Sequence, residues 1–242
     1  MYEKLKDFQI TIVAVIVGLA LLICTGIIGN AITKEGITVT GSAYKIVKSD
    51  TGILRLEIKT RKTVKADGFA LIKKQLPQVK DYLVQEGIKP EEITYLTPDC
   101  YPINKYDPKS GYNTNEIEGY NISQVVQIKT TDVDKIAALS TGAQSLLDKG
   151  IDINLNAPEY YYSKLGEIKV ELLKEASEDA KQRAKGMLSA TGNNVGKIQS
   201  VKMGVFQITP PDSTEVTDSG MSDTSSIEKK VTAVANVTFS IK

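Results

Sequence analysis

The sequence lacks histidine and tryptophan and has only two cysteines among its 242 residues. Without an imidazole, histidine-dependent catalytic triads and zinc sites that need histidine are excluded. Cys24 lies within an apolar run, so a disulfide framework with Cys100 is excluded as well. The formal net charge of +1 offers no positive field for a nucleic acid partner. These absences leave a protein that binds, assembles or shields, or an enzyme that works with carboxylates, lysine and tyrosine alone.

One long apolar run does occur, near the N-terminus. Residues 10–32 contain no charged side chain, and as a helix they would span about 34 Å, enough to cross a hydrocarbon core of about 30 Å. They therefore predict a transmembrane signal-anchor after a short flank at 1–9. Gly29-Asn30-Ala31 also fits a signal-peptidase site, so a cleaved signal peptide is the alternative. Because an N-terminal span usually exports the polar region behind it, we expect residues 34–242 to be extracytoplasmic, at the cell envelope.

The region after the apolar run shows the hydrophobic periods of both strands and helices. It predicts an α+β fold of antiparallel sheets with packed helices, in the order β-β-α-β-β-α-β-α-β-β, with sub-units at about 37–130 and 131–242. The predicted strands are 37–48, 53–62, 93–106, 117–130, 151–155, 197–208 and 231–241, and the predicted helices are 64–85, 132–147 and 163–190.

Local signals mark where these helices begin and end. Asp132 is a candidate N-cap, and Gly87, Gly150 and Gly192 are the glycines expected just after the helices, where a left-handed residue is favoured. Pro77 lies inside the first helical pattern and predicts a kink or break just before it.

Three pieces of this region resemble one bacterial family. Residues 37–41 resemble its glycine-ended opening strand, residues 87–126 its "G-I … D-I-x-T … I-x-G-Y … V" string, and residues 176–196 its alanine-rich helix closing in "L-G-x-V". By their order and spacing the chain resembles the SIMPL-domain proteins, an envelope family of unknown function, over roughly residues 37–242.

The resemblance implies an α+β fold, an envelope or periplasmic location and self-assembly into an oligomeric ring or scaffold. It also implies a link to oxidative-stress defence, as for some members. We therefore expect a non-enzymatic, membrane-anchored protein whose partners are the lipid bilayer, through residues 10–32, and further copies of itself. We expect no nucleic acid, metal or cofactor. The alternatives are a monomeric binding module for a cell-wall or small ligand, and an enzyme using Cys100 or a carboxylate pair.

Two groups of residues are candidate contacts between copies. Alanines spaced four apart give the last helix a flat groove, which suits packing on a sheet of the same chain or a contact with another subunit. A run of three tyrosines suits strand packing or an interface, because each ring is apolar and each hydroxyl polar. The candidates are Ala176, Ala180, Ala184, Tyr160, Tyr161 and Tyr162.

The remaining candidates are a thiol and a loop. Cys100 is the only cysteine after the apolar run, and the neighbouring Asp99 disfavours a reactive thiolate. The segment Pro210–Ser226 is rich in Asp, Ser and Thr, which predicts a solvated hairpin tip or a contact arm to another subunit.

Overall fold

A computed structural model of the chain describes residues 16–20, 22 and 36–242. Residues 16–20 and 22 are helical and exposed. Among the described residues, no helix combines the length and the apolar character needed to cross a bilayer. The rest of the predicted span at 10–32, and the flank at 1–9, lie outside the described residues, so the membrane anchor stays a prediction.

The chain folds into two compact units, each assembled from separate pieces. The first unit contains the described residues up to Ala43 together with Leu173–Gly204 and Ala233–Lys242, and the second contains Tyr44–Leu172 and Val205–Thr232. This division differs from the sequential one expected near residue 130, because the first and last strands pair. Their side chains are joined by a hydrogen bond between the hydroxyls of Thr38 and Thr238 and by one that Thr40 donates to Asn236.

The second unit contains an antiparallel sheet. Its strands are β2 (Thr51–Lys62), β3 (Ile93–Tyr95), β4 (Asp99–Asp107), β5 (Tyr112–Thr130), β6 (Ile153–Leu155) and β7 (Glu159–Tyr161). The strand order is β3-β5-β2-β6, and in addition β4 pairs with β5 and β7 with β2. Helix α1 (Lys65–Gln85) packs against β2 and β5. A 3-10 turn at Pro90–Glu92 and helices α2 (Val133–Gly142) and α3 (Ser145–Asp148) complete this part.

Apolar and polar residues alternate strictly along β2, and this alternation determines which face of the sheet is covered. Leu54, Leu56 and Ile58 are buried in the core, while the residues between them point to the opposite face. On the covered side α1 comes very close at Gly68, where an added Cβ would lie 2.3 Å from Cδ1 of Ile122. The face of the sheet away from α1 therefore carries the polar side chains of β2 and β5.

The first unit contains the beginning of β1 (Gly36–Lys48), most of helix α4 (Leu165–Ser189), β8 (Val195–Met203) and most of β11 (Glu228–Ile241). β1 and β8 both pair with β11. In the second unit, β9 (Gln207–Thr209) pairs antiparallel with the first residues of β11, and the two-residue β10 (Met221–Ser222) pairs parallel with β9.

The structure confirms the α+β class with antiparallel sheets and packed helices, and it subdivides several predicted elements. The strand expected at 93–106 is interrupted before Asp99, where Pro98 cannot donate to a ladder. The strand expected at 197–208 is interrupted at Gly204, and the helix expected at 132–147 is split into α2 and α3. The short β7 and β10 were not predicted, because three or fewer residues show no period.

The structure confirms the predicted helix ends but contradicts the break predicted inside the first helix. The carboxylate of Asp132 caps α2 by accepting from the backbone N–H of Lys135 at 3.1 Å, as predicted. Positive φ angles of 83°, 72° and 77° at Gly87, Gly150 and Gly192 confirm the three glycine stops. Of the kink or break predicted near Pro77, the break is wrong, since α1 continues through it, and the kink stays a prediction. Burial of residues before and after Pro77 offsets the missing backbone hydrogen bond.

Candidate functional site

The alanine stripe of α4 lies against the backbone of β1 within the first unit. Ala176, Ala180 and Ala184 are fully buried. At Gly41 an added Cβ would lie 2.1 Å from the carbonyl oxygen of Ala176 and 2.4 Å from the nitrogen of Ala180. The groove made by small side chains is thus filled by the same chain, which is the first of the two arrangements expected for it.

The three consecutive tyrosines do not form one surface. Tyr160 is buried in the core of the second unit, and burial raises the pKa of its hydroxyl. Tyr161 is exposed, and its hydroxyl donates to Glu159 at 2.7 Å, which raises the pKa of Tyr161. Tyr162 is half-buried. Only Tyr161 therefore offers much of its ring to a partner.

Cys100 points toward the covered side of the sheet in the second unit. It pairs across β4 and β5 with the fully buried Ile122, and it packs against the hydrophobic core in a half-buried position. These contacts restrict the approach of a substrate to the sulfur.

Several of the carboxylates that were considered for a catalytic pair have structural partners. Glu92 accepts hydrogen bonds from the hydroxyl of Thr130 at 2.6 Å and from the backbone of Lys89 at 2.9 Å. Further ion pairs join Glu116 to Lys105, Glu118 to Arg61 and Asp179 to Arg183. Within the described part of the chain, no three Asp, Glu or Cys side chains converge as a metal site.

The segment Pro210–Ser226 is held down by long side chains from the strands beside it. Gln207 donates to the carbonyl of Thr217 at 2.7 Å and accepts from the backbone of Met221 at 2.9 Å. The ammonium of Lys230 donates to the carbonyls of Pro211 and Ser213. The segment is exposed over much of its length, yet it is anchored at several points.

A buried ion pair lies at the end of this segment. Lys229 is 2 % exposed, and its ammonium donates to the carbonyl of Asp223 at 2.7 Å, with the Asp223 carboxylate 3.5 Å away. Burial lowers the pKa of Lys229, although Asp223 opposes this. Burial raises the pKa of Asp223, but hydrogen bonds from Ser225 and Ser226 together with the charge of Lys229 outweigh it, and the net shift is downward. The sequence did not reveal this pair. Lys229 lies just before the strand predicted at 231–241, and a lysine in such a place is ordinarily exposed to solvent.

The most exposed apolar strand is β8 in the first unit. Ile198, Val201 and Met203, which we call the β8 face, are 58 %, 47 % and 66 % exposed. Their partners on β11 are at most 1 % exposed, and residues paired across a sheet point to the same side. The pairs are Ile198 with Phe239, Val201 with Val237 and Met203 with Ala235. Among the residues that the structure describes, the layer that buries β11 therefore leaves the β8 face uncovered.

The backbone of β8 is also open along one side. Among the described residues, β8 pairs with β11 alone, so the N–H and C=O groups on its other edge have no strand partner. A strand with a free edge and an apolar face can accept another strand. Lys197 and Lys202 also lie on this strand, and such charges limit indiscriminate strand pairing at an edge.

The architecture defines an α+β protein whose helices cover one face of antiparallel strands. The sequence profile of the SIMPL family, described as a protein of unknown function (DUF541), matches residues 37–239. This match begins in β1, ends in β11 and includes pieces of both units. The chain therefore belongs to the SIMPL family, which confirms the resemblance seen in the sequence. A search of curated proteins found no match.

Proposed function

We propose that this SIMPL protein acts by self-assembly at the cell envelope and not as an enzyme. In this proposal residues 10–32 anchor it in the lipid bilayer, and the body after residue 34 lies outside the cytoplasm. A stress-protective role belongs to the same proposal and rests on the family resemblance alone. The observation that carries the proposal is the β8 face beside an open strand edge.

The energetics of β8 favour a partner strand. Fully burying an exposed Val, Ile or Met side chain contributes roughly 1.5–3 kcal/mol. Because Ile198, Val201 and Met203 are already about half buried, covering the remainder would contribute about half of that for each. A partner strand would also satisfy the open backbone groups, which adds hydrogen bonds along the edge. A second copy of the chain brings both features at once, since it has the same edge and the same apolar side chains.

The contacts of the other candidates support an assembling protein over an enzyme. Cys100 packs against the core, and the carboxylates of Glu92, Glu118 and Asp179 are engaged by neighbouring side chains. A nucleophile or general base needs access to substrate, whereas these groups are used within the fold.

The proposal is tested by measuring the mass of the full-length chain in detergent micelles, with the detergent contribution subtracted. We expect an oligomer at micromolar concentration. Val201→Glu should reduce it to a monomer, because the substitution places a charge in the centre of the β8 face. The matched control is Val216→Glu, since Val216 is 74 % exposed in the anchored segment of the second unit. A wild-type monomer, or a V201E chain that assembles like the wild type, would contradict the proposal.

A further inference from the structure

The outer face of the sheet in the second unit, away from α1, contains a concavity with polar walls and one exposed aromatic ring. It has a volume of about 420 Å³, within the range typical of ligand sites. Strand register brings its central residues together from distant positions in the sequence. Asn121 on β5 lies between Tyr101 on β4 and Arg61 on β2, and the next pair along the same face is Ser123 with Lys59.

A second concavity adjoins the first. It has a volume of about 430 Å³ and is lined by residues 61–63, 118 and 119. Arg61 lines both, so the two concavities meet at this residue, and we call them together the depression. Two adjoining concavities can accept more than one unit of a linked ligand.

Several polar groups in the depression are free to bind a ligand. Within the described residues, the side chains of Asn121, Ser123 and Tyr101 make no hydrogen bond to another protein group. The amide of Asn121 and the two hydroxyls provide both donors and acceptors. The ring of Tyr101 is 64 % exposed, so its face is available for stacking.

The charges in the depression cancel. Three basic side chains line the two concavities, together with three acidic ones. Arg61 is paired with Glu118 at 3.0 Å, and Lys59 lies 3.9 Å from Asp152. A polyanion such as a nucleic acid or polyphosphate would therefore gain little net attraction and would meet the carboxylates as well. The basic side chains are Lys59, Arg61 and Lys62, and the acidic ones are Glu57, Glu118 and Asp152.

We propose that this depression is a binding site for a neutral oligosaccharide. A sugar ring has an apolar C–H face that stacks on an aromatic side chain and hydroxyls at its rim that bond to amides and hydroxyls. Tyr101 supplies the stacking surface, Asn121 and Ser123 supply the neutral hydrogen bonds, and the adjoining concavity accepts a further sugar unit. This inference goes beyond self-assembly, because the site lies in the second unit while the β8 face lies in the first.

Binding is tested with the full-length chain in non-glycosidic detergent micelles, by calorimetry and ligand-observed NMR. The probes are a neutral N-acetylglucosamine tetramer, a neutral glucose tetramer, an acidic galacturonate tetramer and polyphosphate. We expect saturable binding of at least one neutral tetramer below about 10 mM, and weaker or absent binding of both polyanions. The proposal is overturned if no neutral tetramer saturates in this range, or if a polyanion binds more tightly than both neutral tetramers.

Matched variants locate the site. Tyr101→Ala should weaken binding about tenfold, because it removes the stacking ring, and Asn121→Ala should weaken it at least several-fold. The control is Tyr106→Ala, since Tyr106 lies on the same strand, is 57 % exposed and lines neither concavity. Equal affinities for Y101A and the wild type, with thermal midpoints also equal, would sink the assignment. Val201→Glu should bind like the wild type, so a failure of self-assembly is distinguishable from a failure of this site.

Discussion

The close approach of β1 to α4 predicts a severe effect for the smallest possible substitution, Gly41→Ala. The added Cβ would lie 2.1 Å and 2.4 Å from backbone atoms of Ala176 and Ala180, and 2.8 Å from the Cα of Ala180. Ordinary contacts at this position would be about 3.4 Å or longer. Backbone atoms in a helix cannot rotate away as a side chain can, so β1 and α4 would have to separate by about 1 Å.

That separation loosens the packing of every residue on the buried stripe of α4. Overpacking of a core costs roughly 1–3 kcal/mol when side chains can adjust, and here the obstacle is backbone, so we expect a loss of about 3 kcal/mol or more. For a domain of this size, a loss of 1 kcal/mol lowers Tm by roughly 2–4 °C. The expected decrease in Tm for G41A is therefore about 6–12 °C, measured by circular dichroism in detergent.

Gly186 provides the matched control for this experiment. It lies within α4, and an added Cβ there would meet nothing within 4 Å. Gly186→Ala should raise stability by roughly 0.5–1 kcal/mol, because alanine is favoured over glycine inside a helix. If G41A melts within about 2 °C of the wild type, the contact between β1 and α4 is not as close as described and the reasoning fails.

Two further predictions concern charged groups in the second unit. Lys229→Met should lower the free energy of unfolding by roughly 3–5 kcal/mol, because it leaves the buried carboxylate of Asp223 without its cation. The double variant with Asp223→Asn should recover much of this loss. Equal urea midpoints for the single and the double variant would contradict the prediction. Hydrogen bonds from Tyr161 and Arg55 lower the pKa of Glu159, so its stabilising contribution is present above the unfolded pKa of about 4.5 and is lost as pH falls through the folded pKa. Tyr161→Phe should raise the pKa of Glu159 in a carboxyl NMR titration, and an unchanged or lower value would refute the assignment.

The α+β class could be predicted because the signals are local. Alternation in β2 and β11 and the stripe on α4 each lie within one element, so the buried faces are visible in the sequence. The reason for a glycine at position 41 was harder to predict from the sequence. Its place in a family-like motif was recognisable, but only the packing of β1 on Ala176 and Ala180 shows why a side chain is excluded there.

The candidate sites depend on relations between elements and could not be predicted in the same way. Ile198, Val201 and Met203 do not alternate in the sequence. They share one face because the pairing with β11 shifts by one residue between Ser200 and Ile198, and their exposure depends on which residues of the sheet the packed layer leaves uncovered. The polar depression depends on register, because Arg61, Tyr101 and Asn121 become neighbours only after β2, β4 and β5 have paired. A shift of one residue in either pairing would direct these side chains to the opposite face.

The way in which the segment Pro210–Ser226 is anchored determines which substitutions it can tolerate. Gln207 and Lys230 bind main-chain oxygens of Pro211, Ser213 and Thr217, and every amino acid supplies such an oxygen. These hydrogen bonds therefore depend on the backbone conformation of the segment and not on the identity of its side chains. Exposed positions such as Val216 are accordingly suited to carry a fluorophore, an affinity tag or a foreign epitope with little effect on the surrounding fold.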